Sequence, residues 1–173
     1  INEELADSIT VVVGDQIEIR PGRTTKKGLE PITTKVSSLH SGVSRESLGP
    51  GGLVAIGTTL DPATTKSDSL LGNVIGKPGS LPPVWNEISV ETTLLDRVVG
   101  TKNIQSVDEL KTREPLVLTV GTRTTVGVPI TVRDNIVDIN LTIPVCAPVG
   151  QRIALSRRVD GKWHLIGYGI IKE

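Results

Sequence analysis

Residues 70–85, LLGNVIGKPGSLPPVW, contain a Gly-Lys pair close to a serine, which is the composition of a phosphate-binding loop. Such a loop needs the spacing G-x-x-x-x-G-K-[ST], in which backbone N–H groups and the lysine surround the phosphates. Counting back from Gly76 and Lys77, the first glycine of the pattern is replaced by Leu71. The following residue, Pro78, has no hydroxyl for Mg²⁺ and no backbone N–H. The spacing therefore predicts a structural joint rather than a nucleotide site.

The other residues that could carry out chemistry are few. The histidines are His40 and His164, and the single cysteine is Cys146, in the apolar segment IPVCAPVG. One cysteine excludes an internal disulfide and a Cys-rich zinc site. A free cysteine in such a segment is usually a small core residue, so Cys146 is predicted to be one. The acidic residues are scattered, so no paired-carboxylate site is indicated, and no metal or cofactor is expected.

Basic residues form two local runs, although Lys plus Arg and Asp plus Glu are 19 each and the net charge is zero. That balance argues against a strongly electrostatic, sequence-blind nucleic-acid binder. The runs are Arg20, Arg23, Lys26 and Lys27, and Arg157, Arg158 and Lys162. Trp85, Trp163 and Tyr168 are the only aromatic residues, which is few for a base-stacking platform. Any RNA contact is expected to involve mainly backbone and shape and to weaken with salt.

These residues must be positioned almost entirely by β-strands, because β-branched residues dominate and Gly and Pro interrupt them at short intervals. SITVVVGDQIEIRPG predicts two strands around a Gly14-Asp15 turn, with Ile17 and Ile19 on one face. LVLTV at residues 116–120 is apolar throughout, as expected for a strand covered on both faces. IVDINLTI alternates, which predicts four inward residues: Val137, Ile139, Leu141 and Ile143.

The last two strands are predicted to form a hairpin around Asp160-Gly161, with a bulge near Leu165-Ile166 where the side chains change face. Helical signals are weak. NEELADS could form a turn or two, and SVDELKTRE a short helix with Ser106 as N-cap.

Three prolines and a glycine within residues 77–83, KPGSLPP, mark the natural boundary. Proline cannot donate a hydrogen bond to a sheet, so the sheet must stop there. The sequence predicts two β-domains, at residues 1–79 and 84–173, joined by a Pro-rich linker at 80–83. With no apolar run near the roughly 20 residues of a membrane span and one cysteine, a cytoplasmic protein without membrane contact is expected.

Several stretches, in order along the chain, resemble the gamma subunit of archaeal and eukaryotic translation initiation factor 2. They are GDQIEIRPG, PGGLVAIGTTLDPATTKSDSLLGNVIGKPGSLPPVW, LLDRVVGT and IPVCAPVGQRIALSRRVDGKWHLIGYGIIKE, and they cover most of residues 14–173. The similarity is to the second and third domains of that subunit, and its archaeal members look closest. Domains II and III of elongation factor Tu are a more distant likeness. The segment before Val13 departs from the family's pattern for the start of domain II.

This resemblance implies two consecutive β-barrels of the translation-factor type. The family's whole subunit binds GTP through a G domain, carries methionylated initiator tRNA and pairs with an alpha subunit. No residues of this sequence match that G domain, so the chain is expected to be a non-catalytic portion that neither binds nor hydrolyses GTP. No DNA partner is implied.

Two binding surfaces in the first domain are also implied by the resemblance. The tRNA surface lies near residues 35–40 and 51–58, with Lys66 and Lys77 as basic groups near the tRNA path. Its residues are Lys35, His40, Gly51, Gly52, Lys66 and Lys77. The alpha-subunit loop comprises His40, Ser41, Gly42, Val43, Ser44, Arg45 and Glu46. The glycine pair also fits a plain strand beginning, and both interpretations stay open.

A second interpretation follows from the absence of Met and Phe. The chain could be an engineered or ancestral-style β-barrel protein derived from this family, in which the binding function is lost.

Overall fold

The computed structural model describes residues 10–25, 28–49, 51–100 and 105–173. The chain divides into two compact units, Ile1–Leu81 and Pro82–Glu173. The helical turn expected in NEELADS and the cations Lys26 and Lys27 lie outside the described residues.

The first unit is a curled antiparallel sheet built on one long strand. Its elements are β1 Val11–Val12, β2 Gln16–Thr25, β3 Gly28–Ser41, β4 Val43–Arg45, β5 Ser47–Leu48, β6 Ala55–Thr58, α1 Pro62–Thr65 and β7 Val74–Gly76. The sheet order is β4-β3-β2-β7, β6 also pairs with β3, and β1 pairs with β5. Among the described residues this sheet is a half-barrel and does not close.

A small core lies beneath this sheet. Ile17 and Ile19 are both buried, as the alternation predicted, and Ile17 packs with Val36 and Leu39. The predicted turn is present one residue earlier than expected, with Val13 and Gly14 at its centre, because the Asp15 N–H donates to the Val12 carbonyl at 3.0 Å. The Asp15 carboxylate also accepts a hydrogen bond from the Val12 N–H at 2.9 Å. The two strands that flank the turn do not pair with each other, however. β1 pairs with β5 instead, because residues 43–48 bring the chain back alongside β1.

Strand β2 contains Pro21 and Gly22 at a register shift between Ile19 and Arg23. Proline within a sheet is confined to edges and bulges because it lacks the N–H. Gly22 has φ +96°, and its N–H donates to the Asn73 side chain at 2.7 Å. A Cβ at this position would overlap the Glu30 carbonyl oxygen. The bulge therefore requires glycine for two separate reasons, the backbone angle and the close approach.

The second unit is a closed barrel of six antiparallel strands. They are β8 Val84–Leu94, β9 Leu116–Val120, β10 Arg123–Arg133, β11 Ile136–Cys146, β12 Arg152–Val159 and β13 Lys162–Lys172. Around the barrel the order is β10-β11-β8-β13-β12-β9, returning to β10. The interior is filled by aliphatic residues, including Ile88, Leu118, Ile139, Leu155 and Ile171. The all-β fold class expected from the sequence is confirmed.

The last hairpin matches its prediction. Asp160 and Gly161 have φ +48° and +79° in the two-residue turn, as a type I′ turn requires. The register between β12 and β13 shifts so that Ile166 is an extra residue, which confirms the bulge.

Two strand predictions were wrong in part. Val137, Ile139 and Leu141 are buried, but Ile143 is 40% exposed. The pairing of β11 with β8 is interrupted between Asn140 and Val145, and the backbone of Ile143 bonds instead to the Thr125 hydroxyl, so the alternation is lost there. Strand β9 is also not covered on both faces, because it alternates between buried and more exposed positions like the other strands of the barrel.

The helix predicted after Ser106 is absent. Ser106 forms an isolated bridge with Arg97, and the following segment has no regular secondary structure up to a turn at residues 112–113. The Arg157 guanidinium donates to the carbonyl oxygens of Asp108 and Glu109 at 2.9 and 3.0 Å and is paired with the Glu114 carboxylate. A helix would use those carbonyls internally. The long-range contacts of Arg157 therefore take the place of the helix that the local sequence favours.

We predict that Gly22→Ala strongly destabilises the first unit. The substitution combines a left-handed backbone angle with a clash against backbone atoms that cannot move aside, so the loss should be about 3 kcal/mol or more. Thermal unfolding followed by circular dichroism measures the change.

Gly28→Ala is the matched control, because Gly28 has φ +115° in the same hairpin but open space around it. It should cost only the backbone strain, about 1–2 kcal/mol. Equal losses for the two variants would show that the close approach to Glu30 contributes nothing.

Candidate functional site

The predicted site residues lie mostly along β3, which changes partners along its length. Its first part pairs with β2, where Lys35 is opposite Gln16. Its last part lies between β4 and β6, where His40 is opposite Ser44 on one side and Ala55 on the other. Lys35 and His40 are both exposed, while Val36 and Leu39 between them are buried. The register shift between Val36 and Ser38 places both side chains on the outer face, four regular strand steps or about 13 Å apart.

The segment expected to contact an alpha subunit is an exposed β-hairpin. Ser41 is opposite Val43, with Gly42 at φ +73° between them. Val43 is 55% exposed. At the end of the segment the Glu46 carbonyl accepts a hydrogen bond from the Val13 N–H at 2.9 Å. This bond and the β1–β5 pairing hold the hairpin in one position while its side chains stay open to solvent.

Gly51 and Gly52 lie in a bend before β6 and have φ +115° and +74°. Two successive positive angles favour glycine at both positions. The next residue, Leu53, is 94% exposed. Because Ala55 is opposite His40, this bend lies at the same end of β3 as the hairpin.

The two remaining lysines occupy different places. Lys66 is exposed in a turn directly after α1, whose N-terminus is capped by the Asp61 carboxylate. Lys77 follows β7 and lines a cavity together with Gln16, the residue opposite Lys35. The structure thus brings Lys35 and Lys77 to the same end of β2. Lys66 has no described contact with the other predicted residues.

That cavity, of about 290 Å³, was not expected from the sequence. It is lined by residues of β1, β2, β6 and β7, and its walls combine Ile17, Ile56 and Ile75 with the polar groups of Asp15 and Lys77. Only Lys77 among the predicted site residues contributes to it. The sequence offered no signal for it, because the walls come from segments far apart along the chain.

The loop after β7 is held by a carboxylate that sequence reasoning also missed. Glu18 accepts hydrogen bonds from the Gly79 N–H and the Arg20 guanidinium, each at 2.8 Å. Arg20 in turn donates to the Leu81 carbonyl at 3.2 Å. The Gly79 N–H, and then the Arg20 guanidinium, lower the pKa of Glu18 below its usual value.

The same contacts bear on nucleotide chemistry at residues 76–80. The N–H of Gly79 bonds to Glu18, and the N–H of Ser80 bonds to the Lys77 carbonyl at 3.0 Å. These N–H groups are therefore not directed at a phosphate, which agrees with the mismatch in spacing.

The possible catalytic groups are dispersed. His164 lies 3.0 Å from the Val99 carbonyl through Nδ1, and the Cys146 thiol donates to the Pro82 carbonyl at 3.3 Å. Within the described residues, no group of three or more His, Cys, Asp or Glu is placed to hold a metal ion. None of the helices in that part of the chain has the length and apolar character that a membrane crossing requires.

Comparison with known proteins agrees with this fold. The family model described as "Initiation factor eIF2 gamma, C terminal" matches residues 86–171. A bacterial selenocysteine-specific elongation factor, EF-Sec, has a similar structure, with a TM-score of 0.66 and 19% identity over 94% of this chain and 23% of that one. The chain is therefore an all-β portion of the translation-factor class.

Closer sequence relatives are subunits gamma of translation initiation factor 2 from two archaea. That of Methanothermobacter thermautotrophicus is 54% identical, and that of Methanocaldococcus jannaschii is 51% identical, each over 92% of this chain. The chain spans 40% of the length of these relatives. It belongs to the family of the gamma subunit of initiation factor 2 and represents a C-terminal portion, which confirms the resemblance seen in the sequence.

We predict that Glu18→Gln lowers the stability of the first unit at neutral pH and removes part of its acid sensitivity. A carboxylate whose pKa is lowered on folding stabilises above its ordinary pKa, 4.5, and loses that contribution as pH falls through the lower folded value. The melting temperature, measured from about pH 7 to about pH 3, should therefore fall less steeply below 4.5 in the variant.

Glu46→Gln is the control, since Glu46 is exposed in the same unit. It should leave the melting temperature at neutral pH within about 2 °C. An unchanged acid limb in Glu18→Gln would contradict the role given to the Gly79 and Arg20 contacts.

Proposed function

We propose that this chain is a non-catalytic binding module of a gamma subunit, which contacts initiator tRNA and an alpha subunit through its first unit. The observation that carries the proposal is the 54% identity to an archaeal gamma subunit over 92% of the chain. Lys35, His40, Gly51, Gly52 and Lys77 would form the tRNA surface, with Lys66 nearby. The hairpin of residues 40–46 would form the alpha-subunit surface.

The geometry of the first unit supports this assignment. Backbone-lined surface is available at the glycine bend, where no side chains separate a ligand from the chain. Lys35 and Lys77 provide positive charge further along the sheet, where β2 begins. Exposed apolar side chains at Val43 and Leu53 are of the kind that a protein partner covers.

Titration with methionylated initiator tRNA and, separately, with an archaeal alpha subunit tests the proposal. Both are expected to bind the unaltered chain. Replacing Lys35 and Lys77 by alanine should weaken tRNA binding and reduce the slope of log K against log salt by roughly 1.5, because each phosphate contact contributes about 0.7–0.9. Val43→Asp should abolish alpha-subunit binding, since a charge cannot be buried there unpaired.

Two controls separate these sites from general effects of charge. Lys111→Ala and Val149→Asp change an exposed lysine and an exposed valine of the second unit, and both should leave the two affinities unchanged. Failure of the unaltered chain to bind either partner would support the alternative, a family-derived scaffold that has lost its binding function.

A further inference from the structure

The outer face of β12 and β13 carries an arrangement that the proposed function does not use. On β12, Ile153 and Leu155 are buried, and the residues that alternate with them point away from the core. Ile166 is an extra residue in β13. Because of it, Leu165 and Tyr168 both point to that outer face, although they are three positions apart. The outward positions are Arg152, Ala154, Ser156 and Arg158 on β12, and Trp163, Leu165, Tyr168, Ile170 and Lys172 on β13.

Each of the two aromatic residues on this face has an arginine beside it. Trp163, which is 44% exposed, is opposite Arg158 in the strand register. The Arg152 guanidinium lies 4.6 Å from the centre of the Tyr168 ring. Tyr168 is five positions after Trp163, but Ile166 is the extra residue of the bulge. The two rings are therefore four regular strand steps apart, about 13 Å. Between them the face holds the small residues Ala154 and Ser156 and the side chain of Leu165.

The charge on this face is positive. Neither strand, both of which the structure describes in full, has a carboxylate at an outward position. Lys162 adds a further cation at the turn, next to Asp160. On the adjoining strand β8, the Glu91 carboxylate is 2.6 Å from the Lys172 ammonium group, and this contact lowers the pKa of Glu91. Arg152 and Arg158 therefore give the two ends of the face positive charge, and Lys162 lies beyond one end, at the turn.

We propose that this outer face of β12 and β13 binds a single-stranded stretch of RNA. One base stacks on Trp163 and another on the Arg152–Tyr168 pair, while phosphates contact Arg158 and Lys162. Aromatic rings and guanidinium planes accept any base, and cations along the same path accept the backbone. A protein partner would instead favour a continuous apolar centre, whereas here Leu165 is the single large apolar side chain between the two rings, beside the small residues Ala154 and Ser156. This face belongs to the second unit, whereas the surface proposed for tRNA belongs to the first.

Fluorescence anisotropy of a labelled 12-nucleotide oligouridylate, titrated with the full chain, tests this proposal. With two cations contacting phosphates, binding should weaken roughly sevenfold between about 50 mM and 200 mM salt. Trp163→Ala should weaken binding about fivefold or more through loss of one stacked base. Replacing both Arg152 and Arg158 by alanine should leave a salt slope near −0.7. Arg133→Ala, an exposed arginine on β10, is the matched control and should bind like the unaltered chain.

Trp163→Phe tests whether the oligonucleotide contacts the ring at position 163, separately from how tightly it binds. This variant keeps an aromatic face, so it should bind the oligonucleotide but lose the quenching of tryptophan emission seen with the unaltered chain. Quenching that persists would come from Trp85 and would overturn the assignment. The Lys35→Ala, Lys77→Ala double variant should bind unchanged, and loss of binding there would place the oligonucleotide on the first unit. No saturable binding tighter than about 100 μM at low salt would also overturn the proposal.

Discussion

Closure of the six-stranded barrel is the constraint on which the second unit depends. Every strand has a partner on both sides, so no sheet edge is left among these strands and no backbone N–H row is open to solvent. The chain has no Phe or Met, and the interior is filled by Val, Ile and Leu that fit the pleated surface. Leu110 and Val98, from the segment between β8 and β9, add to that core. Arg157 holds this segment by donating hydrogen bonds to its backbone carbonyls, so polar contacts help to keep these two apolar residues in the core.

The first unit meets the same chemical demands in a different way. Its described strands form an open sheet, and its buried apolar cluster is small. Stability there depends more on individual polar contacts, of which the Glu18 carboxylate with Gly79 and Arg20 is the clearest. An open sheet also leaves a cavity lined by β1, β2, β6 and β7 and an exposed hairpin after β3. The features that weaken the core thus provide surface for recognition.

Local chemistry explains which features the sequence could predict. The Asp160-Gly161 turn, the bulge at Ile166 and the burial of Ile17 and Ile19 each depend on residues within a few positions of one another. The missing helix after Ser106 could not be foreseen, because Arg157, nearly 50 residues away, takes the carbonyls that a helix needs. Glu18 and Gly79 are similarly 61 residues apart. The cavity and the exposure of Ile143 also depend on pairings between distant strands.

Three carboxylates and one histidine among the described residues are engaged in contacts within the chain. Glu18, Glu114 and Glu91 each pair with a cation, and Nδ1 of His164 lies within hydrogen-bonding distance of a backbone carbonyl. A general acid or base needs a titratable group directed at a substrate, and these side chains are directed at their own backbone or at fixed partners. The described surface carries exposed acidic side chains together with exposed lysine, arginine and glycine backbone and two aromatic rings. Cations, glycine backbone and aromatic rings are the groups with which proteins recognise phosphates, bases and extended chains.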